Sequence, residues 1–214
     1  MFSPNLTGLN PEETVTQLND FCEYGANVYN QIISVIKELT DSLYEAWWSP
    51  NVVDFNKTIH RDVIPTADEL ITAYRDMALR AQDAANDLRK GNGLPEKTIS
   101  NIALLKSGFD VVNLLEARSD GVVGIKKPEA LEAKDKFTNS VEEIKIKIEQ
   151  TPKDISFYNP GDTLMNIYKA NLDKCAAKLN AKFDEVSSLI NQAINNEAEV
   201  AERQSANAAQ SLNG

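Results

Sequence analysis

The stretch YEAWWSPNVVDF, Tyr44 to Phe55, holds both tryptophans of the 214-residue chain, side by side, where one helical pattern ends and another begins. Upstream, apolar or small residues recur at Leu18, Phe21, Gly25, Val28, Ile32, Val35, Ile36, Leu39, Leu43 and Trp47. Steps of three and four place them on one face of a helix of roughly 35 residues, ~50 Å long at about 1.5 Å per residue. Downstream the same spacing runs through Val52, Phe55, Ile59, Val63, Leu70, Tyr74, Met77, Ala81, Ala84 and Leu88 to KGNG, a helix-stop signal. Ser49 is suited to cap the second helix and Pro50 to stand in its first turn. A connection this short makes the two helices antiparallel neighbours, a long hairpin turning at Trp47-Trp48-Ser49-Pro50.

Prolines punctuate the rest of the chain in the same way. NPEE at Asn10 offers an Asn cap, Pro11 in the first turn and two acids where the helix dipole favours them. Pro95, Pro128 and Pro160 mark further helix starts, giving about five helices in all. The third carries Ile99, Ile102, Leu105, Phe109, Val112 and Leu115; the fourth carries Leu131, Phe137, Val141, Ile144 and Ile148. The fifth runs from Leu164 through Leu172, Cys175, Leu179, Phe183 and Val186 to Ile194. Pro65 interrupts the second helix and is expected to kink or briefly break it. No strand alternation of useful length occurs, so the fold expected is an elongated, all-α antiparallel bundle. Its expected divisions are a hairpin over 1–92, a second hairpin with a long C-terminal helix over 93–200, and a flexible tail over 201–214. A shift of 78 residues lays Ser49-Pro50-Asn51 on Lys127-Pro128-Glu129 and Trp47 on Ile125, a weak internal repeat that leaves duplication open.

Composition narrows the classes of function. The formal charge of −10 argues against nucleic acid or an anionic membrane as partner, since both call for a basic surface. No window approaches the ~18 uninterrupted apolar residues of a membrane span, so stable insertion is not expected. MFSPNLTGLNPEE lacks the basic and apolar regions of a secretory signal, so synthesis in the cytoplasm is expected, with any export independent of such a peptide. Cys22 and Cys175 lie within helical stripes and read as buried free thiols.

The two tryptophans admit two readings. Trp47 continues the inward stripe, whereas Trp48, ~100° further round the wheel, faces solvent or a partner. Alternatively both rings plug the end of the hairpin, covering apolar surface that neither helix covers alone. An amphipathic helix, Trp47-Trp48-Ser49 and a second helix with Phe55 eight positions after Trp47 resemble the WxG-type helical-hairpin proteins of Gram-positive type VII secretion systems. Ser49 stands where that family carries Gly, the likeness covers Pro11 to Leu88, and the chain is about twice the family's usual length. The family's Tyr-x-x-x-acid signal has one counterpart, Tyr158 to Asp162, with Pro and Gly inside it. The resemblance implies a secreted or secretion-associated helical protein, substrate or partner, working through helix contacts with another protein or itself. Trp47, Trp48, Ser49, Pro50 and Phe55 would then form the turn and docking motif.

Catalytic constellations do not emerge. HRDVIPTA at His60 opens like a protein-kinase catalytic loop but has Ala67 where that loop needs a metal-binding Asn, and it lies in a helical stripe. His60 is the sole histidine, which excludes paired-His metal helices. Glu142, Glu143, Asp184 and Glu185 alternate with Lys145, Lys147, Lys178 and Lys182 as ordinary surface pairs. The expectation is a non-enzymatic protein with no cofactor, no metal and no evident small-molecule substrate. A helical pore-forming toxin component and an intracellular helical scaffold are the alternatives; for the former, GVVGI at Gly121–Ile125 is too short an apolar segment.

Overall fold

The computed structural model describes residues 11–48, 52–108, 115, 124–152 and 163–212. The protein is all-α, with helices α1 (Pro11–Tyr44), α2 (Val52–Thr58), α3 (Ile64–Gly91), α4 (Lys127–Glu149) and α5 (Thr163–Leu212). The only sheet among the described residues joins two short strands, β1 (Trp47–Trp48) and β2 (Gly124–Ile125). Between α2 and α3 a π-helical turn, Ile59–Val63, keeps the helix continuous. Pro65 explains that turn. Its ring would meet the carbonyl of Arg61 four residues back, and it has no N–H to donate there. The chain widens instead, and the Ile64 N–H bonds the Ile59 carbonyl, five residues back. Proline thus remodels the helix without breaking it.

Helix ends follow the local chemistry where it is visible. After α3 the Leu94 N–H bonds the Arg89 carbonyl at 2.9 Å and the Gly93 N–H bonds the Lys90 carbonyl at 3.1 Å. This is a Schellman stop, with Gly93 at φ 70° as its left-handed residue. α4 begins at Lys127, one residue before Pro128, with Glu129 in its first turn. The cap positions Asn10, Ser49, Pro50 and Pro160 lie outside the described residues.

In its described part, up to Gly108, the expected third helix is replaced by other structure, while Phe109 and Val112 lie outside the described residues. Residues 94–99 are non-helical and Ser100–Leu104 is a short 3₁₀ turn. The cause is side-chain competition for the backbone. Arg89 Nε donates to the Pro95 carbonyl at 2.7 Å, Asn86 Oδ1 accepts from the Lys97 N–H at 2.9 Å, and Gln82 Oε1 accepts from the Ile99 N–H at 2.7 Å. Gln82, Asn86 and Arg89 follow one another at helical spacing on α3, and the segment runs back along them. From α1, Asn19 Oδ1 accepts the Asn101 N–H at 3.3 Å. Backbone groups served this way have no need of a helical ladder. Ile99 and Leu105 are still buried, as their apolar character requires, though not through a helical face.

The chain forms two compact units, each drawing on three segments. The first comprises Met1–Gln31, Thr66–Gly108 and Lys145–Leu179; the second comprises Ile32–Pro65, Phe109–Ile144 and Asn180–Gly214. The helical backbone also continues to Leu212, past Val200, where large apolar residues cease and fraying was expected.

In the first unit α1 and α3 run antiparallel, with Phe21 against Tyr74 at 5.4 Å between ring centroids and Tyr29 donating to Asp68 at 2.5 Å. Tyr74 shares a 2.5 Å hydrogen bond with Thr151, and Tyr24 donates to the Lys147 carbonyl at 2.6 Å. Lys147 and Lys178 do not pair along their own helices, as their sequence spacing suggested. Lys147 Nζ reaches Gln31 at 2.9 Å and Lys178 Nζ reaches Glu69 at 2.6 Å. In the second unit Phe137 meets Phe183 edge-on at 5.9 Å, and Ile32, Ile36, Val141, Val186 and Ile190 of the same unit are buried. There Lys182 does pair along its helix, with Glu185 at 2.7 Å.

Gly25 lies in the middle of α1, where alanine would ordinarily favour the helix by about 1 kcal/mol. A Cβ there would sit 2.6 Å from Cδ1 and 2.8 Å from Cγ of the Tyr74 ring. Tyr74 is buried and held by Thr151, so it has little room to retreat. Gly25→Ala is therefore expected to lower stability in urea by about 1–2 kcal/mol, overpacking outweighing propensity. A variant more stable than the parent would mean that the Tyr74 ring yields freely.

Candidate functional site

The turn after α1 is built from a backbone reversal and two rings. Ala46 donates its N–H to the Leu43 carbonyl at 3.0 Å, ending the helix, and the next two residues become β1. β1 pairs antiparallel with β2, Trp47 opposite Ile125 and Trp48 opposite Gly124. The Lys126 N–H extends the ladder to the Ala46 carbonyl at 2.7 Å. Trp47 and Ile125 are also the residues that the 78-residue shift superposes. A pair of two-residue strands is too short for alternation to reveal, which is why sequence periodicity missed it.

Alternation across β1 separates the tryptophans. Trp47 is 2% exposed and lies against Phe55, 1% exposed, at 5.5 Å between centroids. Trp48 is half-buried, and Lys126 Nζ sits 5.0 Å from its ring centroid, a cation–π contact. The structure therefore brings Trp47 and Phe55 together as packed core and sets Trp48 apart on the other face of the strand. Ser49 and Pro50 are outside the described residues, as is the stretch from Tyr158 to Asp162.

A cleft of about 160 Å³ opens beside the buried pair, lined by Trp47, Asp54, Phe55, Leu189, Gln192, Ala193 and Asn196. Trp47 Nε1 is buried and has no hydrogen-bond partner among the described residues. Such a donor forgoes roughly 1–3 kcal/mol when left unpaired. Asp54 is engaged with Lys57 at 2.9 Å. Nothing in the sequence pattern pointed to Leu189, Gln192, Ala193 or Asn196, because their meeting with Trp47 depends on how α5 is laid against the turn.

Asn56, one residue beyond Phe55, begins a glycosylation-type sequon, yet its side chain is used internally. Its amide donates to the Leu115 carbonyl at 2.6 Å and accepts the Leu115 N–H at 3.1 Å, holding that peptide at both ends. His60 and Asp62 of the kinase-like string fall in the π-helical turn, with Asp62 3.6 Å from Lys182 Nζ. Among the described residues no group of three or more His, Cys, Asp or Glu side chains converges as a metal site.

No family model, no curated protein and no solved structure matches the chain.

Both cysteines are free and buried, as their positions in helical stripes indicated. Burial pushes the Cys22 thiol up to about 12 from an ordinary 9.0, and raises Cys175 as well. A thiol held neutral is a poor nucleophile. Burial likewise pushes the Tyr29 and Tyr74 hydroxyls up to about 12 from 10.0, with Asp68 adding to the rise at Tyr29. In each case the fold favours the protonated form. Stability from these groups is fully present below pH 9, where the unfolded chain is also protonated, and is lost as pH rises toward about 12. The melting temperature is expected to fall steadily above pH 9, and a thiol reagent at pH 8 should label both cysteines only after denaturation. Rapid labelling of Cys22 in the native state would contradict its burial.

The two tryptophans should respond differently to truncation. Trp47→Ala removes a ring packed on Phe55 and is expected to cost about 3–5 kcal/mol in denaturant unfolding. Trp48→Ala forfeits mainly the Lys126 contact, about 0.5–1 kcal/mol. Equal, small losses from both would overturn the division of labour between the rings.

Proposed function

We propose that this chain is a non-enzymatic, secreted or secretion-associated helical protein of type VII kind, substrate or partner, which works through helix-mediated contacts with another protein. The observation that carries the reading is the divided pair at the turn. Trp47 and Phe55, the residues on which the resemblance rests, pack on one another, while the half-buried Trp48 lies on the opposite face of β1. A tryptophan that is not needed in the core and is partly open to solvent suits an interface anchor. The acidic surface, with a formal charge of −10, suits a protein partner better than nucleic acid. The pore-forming alternative draws no support from the helices, since none of the described ones is long and apolar enough to cross a membrane.

The experiment is export from the native host. Full-length protein, Trp48→Ala and a truncation after Glu199 are followed separately in cells and medium, with a cytosolic marker to exclude lysis. Full-length protein is expected in the medium, the truncation in the cells, and Trp48→Ala exported at a reduced level with its fold unchanged by circular dichroism. Retention of all three in the cytoplasm would reject secretion and leave the intracellular scaffold.

A further inference from the structure

The segment after α3, Leu94 to Gly108, is held within the first unit by side chains. Five of its backbone groups bond across to α3 and α1, and all five partners are side chains. Arg89 Nε donates to the Pro95 carbonyl at 2.7 Å. The N–H groups of Lys97, Ile99 and Asn101 donate to the carboxamide oxygens of Asn86, Gln82 and Asn19 at 2.9, 2.7 and 3.3 Å. Such alternation is the spacing of an extended chain. The Asn101 amide returns a bond to the Asn19 carbonyl at 3.4 Å, and the Gly108 N–H donates to the Tyr29 hydroxyl at 3.2 Å. Within the segment, the Ile102 N–H meets the Ile99 carbonyl at 3.3 Å and the Leu105 N–H meets the Ile102 carbonyl at 3.1 Å. Only Ile99 and Leu105 of these residues are buried, whereas Leu94 and Leu104 stand 43% and 49% exposed. A Cβ on Gly25 would lie 3.1 Å from Leu105 Cδ2, which places that leucine on α1 beside Tyr74.

We infer that residues 94–108 form a strap that opens as one unit while α1 and α3 stay folded. Releasing it breaks no rung of either helical ladder, and the contacts between the helices, Phe21 on Tyr74 and Tyr29 on Asp68, stand without it. The backbone groups set free, and the carboxamides that held them, exchange one partner for water at a small net cost each. Freeing a single latch gains little, because its neighbours still fix the chain; the conformational entropy is recovered only when the whole segment lets go. A segment with two buried apolar side chains and bonds near solvent belongs to the part of a structure that opens below global unfolding. Opening uncovers the seats of Ile99 and Leu105 together with the carboxamides of Asn19, Gln82 and Asn86.

Native-state hydrogen exchange of the full-length ¹⁵N-labelled protein reads this opening amide by amide. The N–H groups of Lys97, Ile99, Asn101 and Gly108 are expected to share one protection factor, at least about tenfold below those of Phe21 and Tyr74 in the interior of α1 and α3. Gln82→Ala removes one latch at a half-buried position on α3 where alanine favours the helix. It should lower the protection of all four strap amides by about five- to tenfold and leave Phe21 and Tyr74 as they were. Asn86→Ala, which removes the neighbouring latch, should do the same. A loss confined to Ile99 in the first variant and to Lys97 in the second would mean separate bonds and no cooperative strap. An equal loss at Phe21 and Tyr74 would mean that the segment opens only with the helices. Strap amides in the parent protein that are protected as fully as the helices, or not protected at all, would likewise overturn the inference.

Discussion

Each long helix of this protein carries its apolar residues on one side, and a helix of that kind stays folded in water only when a neighbour covers the stripe. Everything else in the structure answers to that constraint. In the first unit the α1 stripe is closed by α3, with Phe21 on Tyr74 and Gly25 thinning the helix so the tyrosine ring can approach. In the second, Phe137 and Phe183 meet edge-on where their elements come together. Aromatics are few, and several of them are spent on these contacts, where large rings bury the most surface per residue.

Polar groups then decide register. Tyr24, Tyr29 and Tyr74 each place a hydroxyl on a different segment of the first unit: the Lys147 carbonyl, Asp68 and Thr151. Apolar burial is non-directional and tolerates sliding, whereas a hydrogen bond made inside a low-dielectric environment is lost if the helix shifts by one turn. The side-chain ladder of Gln82, Asn86 and Arg89 does the same for the non-helical segment after α3. In the second unit Asn56 holds the Leu115 peptide from both sides.

The turn at the tryptophans shows how such a structure acquires a surface with specific chemistry. Two-residue strands suffice to set Trp47 and Trp48 on opposite faces, because side chains alternate along a strand whatever its length. One ring becomes core, its buried indole N–H without a partner among the described residues; the other remains partly open over Lys126. Neither outcome needs a catalytic group.

Much of this was legible in the residues themselves. The stripe spacing from Leu18 to Leu43, the KGNG stop, the Pro128 start and the burial of Cys22 and Cys175 all depend on interactions within a few residues or on periodicity along one helix, whereas Trp47, read as the end of that stripe, stands in β1. Such signals are written locally, and the structure carries them as read. Pro65 was legible as a disturbance, while its resolution as a π-helical turn, with the Ile64 N–H on the Ile59 carbonyl, was not. What only the tertiary structure decided is whatever joins distant segments. The stretch after Pro95 has a helical apolar spacing, yet side chains from α3 and α1 compete for its backbone and win. The pairing of Trp47 with Ile125, and the arrival of Gln192 and Ala193 beside the indole, likewise follow from how segments far apart in the chain are packed. Local periodicity specifies which face of a helix must be buried; only packing specifies what buries it.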